Sequence, residues 1–204
     1  MAALSGTGLT SFLIATSFAA GLNAYATVAA LGLLARAGVL ALPSSLGALR
    51  DWTVIAAAVA LFAIEFVADK VPVFDLVWNT LHTFVRVPVA ALLAFNATSE
   101  LPLDARLWST ILGAAIALIA HTGKTAARAA VTPWPEPFSN VALSLGEDVV
   151  AVWLTWLATR HPYLAATVAL LGVAIIVLSL RAVVRLVGRS LAQLREHTVP
   201  TPRS

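Results

Sequence analysis

The sequence predicts an all-α polytopic membrane protein. Of its 204 residues, 60% are hydrophobic and 11% are charged, and the mean hydropathy is +0.90. A soluble domain carries about 25% charged residues, so this chain is too apolar to cover a water-facing surface. Its apolar residues also form long runs separated by short stretches rich in Pro and Ser, as in helices that cross a bilayer. We therefore expect one transmembrane domain over residues 1–204.

Four segments are predicted to span the membrane, at 52–69, 72–96, 107–131 and 163–187. Each approaches the roughly 20 predominantly apolar residues that a spanning helix needs. The second begins at Pro72, a favourable first helical position, and carries Pro88, which is expected to kink it. The residues after the last span, 190–204, are predicted to form a basic cytoplasmic tail.

Two further apolar stretches, 9–36 and 139–159, are predicted to be re-entrant or broken helical hairpins. Gly21-Leu-Asn23 interrupts the first and leaves arms of about 12–14 residues, each too short to span. Gly146-Glu147-Asp148 lies near the middle of the second. Two adjacent acids facing lipid at that depth would be very costly, so we expect a hairpin or a broken helix facing a polar cavity. A full crossing by 141–159 is the alternative.

The positive-inside rule predicts that the C-terminus lies in the cytoplasm. The C-terminal segment carries five arginines: Arg181, Arg185, Arg189, Arg195 and Arg203. If 139–159 does not cross, loops 37–51 and 97–106 share the cytoplasmic side, whereas 132–140 and Arg160 lie outside. The two hairpins then enter from opposite faces, which indicates a possible inverted repeat, a plan that recurs in secondary transporters.

Ionisable residues recur on helices that should be apolar. Asp75, Asn79, His82 and Arg86 are spaced 4, 3 and 4 apart and therefore share one helix face. Ionisable groups within spans face the bundle interior and mark ion or substrate routes. The predicted pathway residues are Asn23, Glu65, Asp69, Asp75, His82, Arg86, His121, Lys124, Arg128, Glu147 and Asp148.

The first hypothesis for these residues is a small transporter or channel for an ion or a small anionic solute. His82 and His121 suit a proton relay with the carboxylates, and Arg86, Lys124 and Arg128 suit binding of a carboxylate or phosphate. The second is a membrane-embedded enzyme that uses the His–carboxylate cluster. The third is a structural or assembly protein whose salt bridges hold the helices together.

Several classes of site are not predicted. The chain has no cysteine, and it has no GxSxG, glycine-rich phosphate loop or HExxH spacing. No catalytic residue, metal site or cofactor is therefore assigned. The net charge of +3 reflects arginines near the bilayer and does not predict nucleic-acid binding. The expected partners are the lipid bilayer, the ion or solute, and further copies of the chain, with a homodimer as the default.

Six motifs together resemble one family over nearly the whole chain. They are GLNAYATVAALGLLAR (21–36), EFVADKVPVFDLVWNTLHTFVRVPVAALLA (65–94), HTGKTAARAAV (121–131), PEPFSN (135–140), SLGED (144–148) and RHP (160–162). This ordered set is similar to the uncharacterised bacterial membrane-protein family catalogued as domain of unknown function 4126. The resemblance implies an integral inner-membrane protein and no established activity. It also implies a polar core that adds Lys70, Glu136 and Asn140 to the residues above.

Overall fold

The computed structural model describes residues 6–68, 72–131 and 137–198, without the side chains of 72–76, 131, 137, 140 and 191–198. Within these ranges the chain is helical and has no strand. Seven α-helices and one 3-10 helix follow each other as α1 Gly6–Leu22, α2 Ala24–Arg36, the 3-10 helix Ser44–Arg50, α3 Trp52–Ala68, α4 Pro72–Ala97, α5 Leu103–Val131, α6 Pro137–Arg160 and α7 Pro162–Thr198.

The all-α membrane class is confirmed. Among the described residues, four helical segments are long and apolar enough to cross a membrane: Val77–Ala97, Leu103–Ala130, Val141–Arg160 and Pro162–Ser190. Helix α3 has 17 residues, and it qualifies only together with the preceding 3-10 helix, to which it is bent by 62°. Helix α3 covers 52–68 of the predicted span 52–69, and residue 69 lies outside the described residues. Helix α6, predicted as a hairpin, is of spanning length.

The predicted break in the first apolar stretch is confirmed at Asn23. Helix α1 ends at Leu22, α2 begins at Ala24, and the Asn23 side chain caps α2 by accepting a hydrogen bond from the Ala26 N–H at 2.9 Å. An Asn cap satisfies one of the N–H groups that a helix start leaves without an intrahelical partner. At 17 and 13 residues, the two helices are about 25 and 20 Å long, so neither crosses a bilayer core of about 30 Å.

The predicted break in 139–159 is not present. Helix α6 is continuous from Pro137 to Arg160 and passes through Gly146, Glu147 and Asp148 without interruption. The acids do not require a break because they face partners inside the bundle: Glu147 contacts Arg128, and Asp148 accepts a hydrogen bond from Asn23. An inverted repeat of two broken hairpins is not shown.

The loop arrangement also differs from the predicted topology. The Thr7 and Tyr163 hydroxyls are 2.9 Å apart, which joins the start of α1 to the start of α7. The same end of the bundle holds Ser45, whose hydroxyl donates to the Ser99 hydroxyl at 2.9 Å, and a cavity bounded by Leu9, Leu40 and Thr98. Loops 37–51 and 97–106 therefore share one end with residues 160–162, because α6 runs the length of the bundle. We call this the loop end.

Helix α1 forms the centre of the bundle and packs against α4, α5, α6 and α7. Small residues allow close approach: a Cβ added to Gly21 would lie 2.4 Å from the Ala117 carbonyl oxygen. Ala90 and Ala94 of α4 and Ala120 of α5 are fully buried beside it. Close packing of this kind is what holds helices together in a membrane, because lipid is as apolar as the side chains and no hydrophobic effect favours their association. The packing brings polar side chains of α4 and α5 next to the α1–α2 elbow at Asn23.

Candidate functional site

Four helices and the elbow bring the polar side chains together inside the bundle. Glu65 lies 13 residues after the start of α3, and Arg86 lies 11 residues before the end of α4, about 20 and 16 Å from the loop end. Glu147 precedes the last residue of α6, Arg160, by 13 residues, again about 20 Å. We call this group the charged cluster, and it comprises Asn23, Glu65, Asn79, His82, Arg86, His121, Lys124, Arg128, Glu147 and Asp148.

The centre of the cluster is a line of alternating charges. The Lys124 ammonium lies between two carboxylates, with Nζ 3.8 Å from Glu65 Oε1 and 3.3 Å from Glu147 Oε2. Arg86 donates to the same Glu65 oxygen at one end of the line. At the other end Arg128 donates to Glu147 Oε2 through two nitrogens, at 2.7 and 3.2 Å. Glu65 therefore bridges a cation of α4 and a cation of α5, whereas Glu147 bridges two cations of α5.

Arg86 also fixes the protonation state of His121. One guanidinium nitrogen donates to Asn79 Oδ1 at 3.2 Å and contacts His121 Nδ1 at 2.9 Å. Arginine can only donate, so Nδ1 of His121 accepts and the ring is neutral. Its Nε2 lies 2.7 Å from the Thr83 hydroxyl and carries the proton. His121 is thus held as one tautomer between two residues of α4.

His82 forms a separate hydrogen-bonded pair with α2. Its Nδ1 is 2.8 Å from the Trp78 carbonyl oxygen, which can only accept, so Nδ1 carries the proton. The Tyr25 hydroxyl lies 3.2 Å from Nε2, and the two rings meet edge to face with centroids 5.6 Å apart. Tyr25 is therefore the residue of the elbow that reaches α4.

The elbow itself is tied to α5 and α6. Asn23 donates from Nδ2 to Asp148 Oδ1 at 2.9 Å, while Lys124 donates from Nζ to the Leu22 carbonyl oxygen at 3.2 Å. The Leu22 carbonyl is one of those left without an intrahelical partner at the end of α1, where a cation is also favoured by the helix dipole. Lys124 thus joins the elbow to both carboxylates.

The cluster is closed to solvent. The side chains of Glu65, Arg86, Lys124 and Arg128 have no exposed surface, and that of Glu147 is 12% exposed. Among the described residues, Glu65 Oε2, Arg86 Nε and Ser144 Oγ are buried atoms without a hydrogen-bond partner. The formal charges of the six Asp, Glu, Lys and Arg members balance, since Glu65, Glu147 and Asp148 oppose Arg86, Lys124 and Arg128.

Nine of the eleven predicted pathway residues meet in this cluster. They are Asn23, Glu65, His82, Arg86, His121, Lys124, Arg128, Glu147 and Asp148. Asp69 and the Asp75 side chain lie outside the described residues. Tyr25 and Thr83 were not predicted. Tyr25 lies two residues after Asn23 and Thr83 directly after His82, but only the packing of a second helix gives each of them a histidine partner.

A metal centre is not formed by the part of the chain that the structure describes. Within it, no group of three or more His, Asp or Glu side chains is placed to hold an ion. The described part of the cluster is built from ion pairs and hydrogen bonds.

The fold and the cluster together define a class: an all-α, multi-pass membrane protein with a balanced set of ionisable side chains buried inside the bundle. The model of the family described as Domain of unknown function (DUF4126) matches residues 11–182. The chain belongs to this family. Comparisons with curated proteins and with solved structures give no match.

Proposed function

We propose that this protein is a small proton-coupled membrane transporter in which the charged cluster is the proton relay. The observation that carries the proposal is the position of Lys124, whose ammonium touches the carboxylates of both Glu65 and Glu147. A lysine in a buried site can lose its proton, and a carboxylate can take one up. In the proposed relay, Lys124 gives a proton to Glu147 across the 3.3 Å contact and takes a replacement from Glu65, once Glu65 has been protonated and its 3.8 Å contact has shortened.

The free-energy cost of burying so many charges supports a functional role for the cluster over a purely structural one. Burying an ion pair costs several kcal/mol of desolvation per ion, which the mutual attraction often fails to offset, and apolar residues of similar volume can fill such a space at least as well. Ionisable residues inside membrane-spanning helices commonly belong to ion routes or proton relays. Three acids and three bases in one buried group fit such a role.

The closed packing favours a proton over a larger species. The central side chains have no exposed surface, and the three cations are already bound to carboxylates. A small anionic solute, the other transported species predicted from the sequence, would have to displace Glu65 or Glu147. A proton needs only the Lys124–Glu147 contact at 3.3 Å and a small approach of Lys124 to Glu65 from 3.8 Å. The proposal also includes a homodimer and a cytoplasmic C-terminus in the inner membrane.

The complete burial of the cluster also favours a second candidate, a structural brace. In that case the charges only hold α3, α4, α5 and α6 together. The two candidates differ in what they require of position 124: a brace needs a positive charge there, whereas a relay needs a proton that can leave.

The exchange Lys124→Arg separates the two, because arginine keeps the charge and does not release its proton. The purified protein is reconstituted in liposomes that contain a pH-sensitive dye, and a K⁺ diffusion potential with valinomycin drives proton entry. We expect entry above that of protein-free liposomes for the wild type, and at least a tenfold slower rate for Lys124→Arg. Arg50→Lys, on an exposed residue outside the cluster, is the matched control and should conduct as the wild type does.

Proton entry no faster than in protein-free liposomes, or an unchanged rate for a folded Lys124→Arg variant, would contradict the relay. Helicity by circular dichroism and a single elution peak in size-exclusion chromatography show whether each variant folds. If Lys124→Arg does not fold, Glu147→Gln is the second variant, since the amide keeps the shape of the carboxylate and takes up no proton.

A further inference from the structure

The C-terminal part of α7 extends beyond the packed bundle. Gly172 still packs against α1, where an added Cβ would lie 2.7 Å from the Phe18 ring, whereas residues 181–190 are all exposed. We call 181–190 the α7 extension. It carries three arginines: Arg181, Arg185 and Arg189. Their spacing of four residues places them about one turn apart along one face of the helix.

These three arginines have no partner within the part of the chain that the structure describes. None of them forms a hydrogen bond or an ion pair with another described residue, and α7 has no acid between Pro162 and Ser190. The loop end is different, since Arg36 donates to the Arg50 carbonyl oxygen at 2.8 Å and its guanidinium lies 4.3 Å from the centre of the Trp52 ring. The cations of the α7 extension are therefore free to bind a separate molecule.

The level of these arginines follows from the part of α7 that precedes them. Segment 162–180 carries no charged residue and is about 28 Å long, close to the thickness of a hydrocarbon core, about 30 Å. It belongs to Pro162–Ser190, which is long and apolar enough to cross a membrane. With 162–180 across the core, Arg181 lies at its edge and Arg185 about 6 Å further out, at the level of the lipid headgroups.

The face that carries the arginines continues toward the core as an apolar surface. Leu178 and Ala174 precede Arg181 by three and seven residues, so they share its side of the helix. Both are exposed, and Leu178 is 63% exposed. A phospholipid has the same order of parts, with a charged headgroup above apolar chains.

This order selects the chemistry of the partner. Guanidinium groups bind phosphate through parallel hydrogen bonds, and basic residues at a membrane surface attract anionic lipids. We propose that this face of α7 binds an anionic phospholipid, with its phosphate on the arginines and an acyl chain along Leu178 and Ala174. A soluble phosphate would make no use of the apolar part of the face. The binding does not depend on the proton relay.

A probe below the arginines tests the proposal. The chain has no cysteine, so Leu178→Cys introduces a single thiol, which is labelled with bimane. The full chain is reconstituted in phosphatidylcholine vesicles that contain phosphatidylglycerol or phosphatidylcholine with a nitroxide on the acyl chain. Quenching of bimane gives the relative association constant of the two lipids. We expect phosphatidylglycerol to bind at least about fivefold more tightly, the effect of one basic residue near a membrane surface.

Two matched double variants show whether the α7 extension causes this preference. Arg185→Gln combined with Arg189→Gln should remove most of it. Arg50→Gln combined with Arg160→Gln takes the same charge from two exposed residues at the loop end and should leave it unchanged.

Three results would overturn the proposal: equal quenching by the two lipids, an equal loss in both double variants, or displacement of the lipid by inorganic phosphate at constant ionic strength. The last would assign the face to a soluble anion. No proton gradient is applied, so loss of proton entry would leave the lipid result standing.

Discussion

Glu65 and Arg86 show how much a single contact in this bundle depends on its partner. Both side chains are fully buried and joined by a charge-assisted hydrogen bond. Removal of one member leaves the other as an uncompensated charge in a medium of low dielectric constant. Removal of both takes the cost away together with the attraction.

We therefore predict that Glu65→Ala lowers the free energy of unfolding by about 3–5 kcal/mol. The paired exchange Glu65→Leu with Arg86→Met should recover most of that loss, because apolar residues fill the site without desolvated charges. Unfolding in mixed detergent micelles, followed by circular dichroism, measures both. Glu100→Ala, on an exposed residue, is the control and should change stability by less than about 0.5 kcal/mol. A double variant as unstable as the single one would contradict this account of the pair.

The members of the cluster could be predicted from the sequence because helical spacing sets which residues share a face. The spacing of Asn79, His82 and Arg86 was sufficient to place them on one buried face of α4. Their partners could not be predicted in the same way. The contacts of Arg86 with Glu65 and His121 depend on how three helices pack, and no spacing within one helix encodes that packing.

At the scale of elements, the apolar stretches 9–36 and 139–159 were both predicted to be broken, but only the first contains a break. Asn23 ends one helix and caps the next, since its side chain satisfies the N–H of Ala26. Gly146 offers no such cap, and the helix continues through it. The sequence Gly146-Glu147-Asp148 predicts a break if the two acids are assumed to face lipid. Once Arg128 and Asn23 supply partners, a continuous helix is compatible with the acids.

The glycines test this difference between elements. A Cβ at Gly146 meets nothing within 4 Å, whereas a Cβ at Gly21 would lie 2.4 Å from the Ala117 carbonyl oxygen. We predict that Gly146→Ala raises the free energy of unfolding by about 0.5–1 kcal/mol, the difference in helix propensity. Gly21→Ala should lower it, because α1 and α5 must move apart. Destabilisation by Gly146→Ala would indicate that α6 is not a regular helix there. The same micelle unfolding measurement compares both variants.

At the scale of the molecule, the continuous α6 changes which loops face the same compartment. With α6 running the length of the bundle, residues 160–162 lie at the loop end together with 37–51 and 97–106. Helix α7 starts there and has 37 residues, about 55 Å, so it leaves the bundle at the opposite end. The arginines of α7 therefore lie away from Arg36 and Arg50. Counting arginines along the sequence could not reveal this arrangement, because the count gives opposite sides for the loops depending on whether 139–159 crosses the membrane.

Single cysteines can test this arrangement directly, because the chain has no cysteine of its own. Ser44→Cys, His161→Cys and Ser190→Cys place thiols at three exposed positions. A membrane-impermeant maleimide is added to intact cells and, separately, to inverted vesicles, and labelling is read as a mass shift. We expect positions 44 and 161 to react from one side and position 190 from the other. If position 161 instead reacts from the same side as position 190, α7 does not cross the membrane. In that case residues 160–162 do not share a compartment with loop 37–51, and α6 does not cross the membrane either.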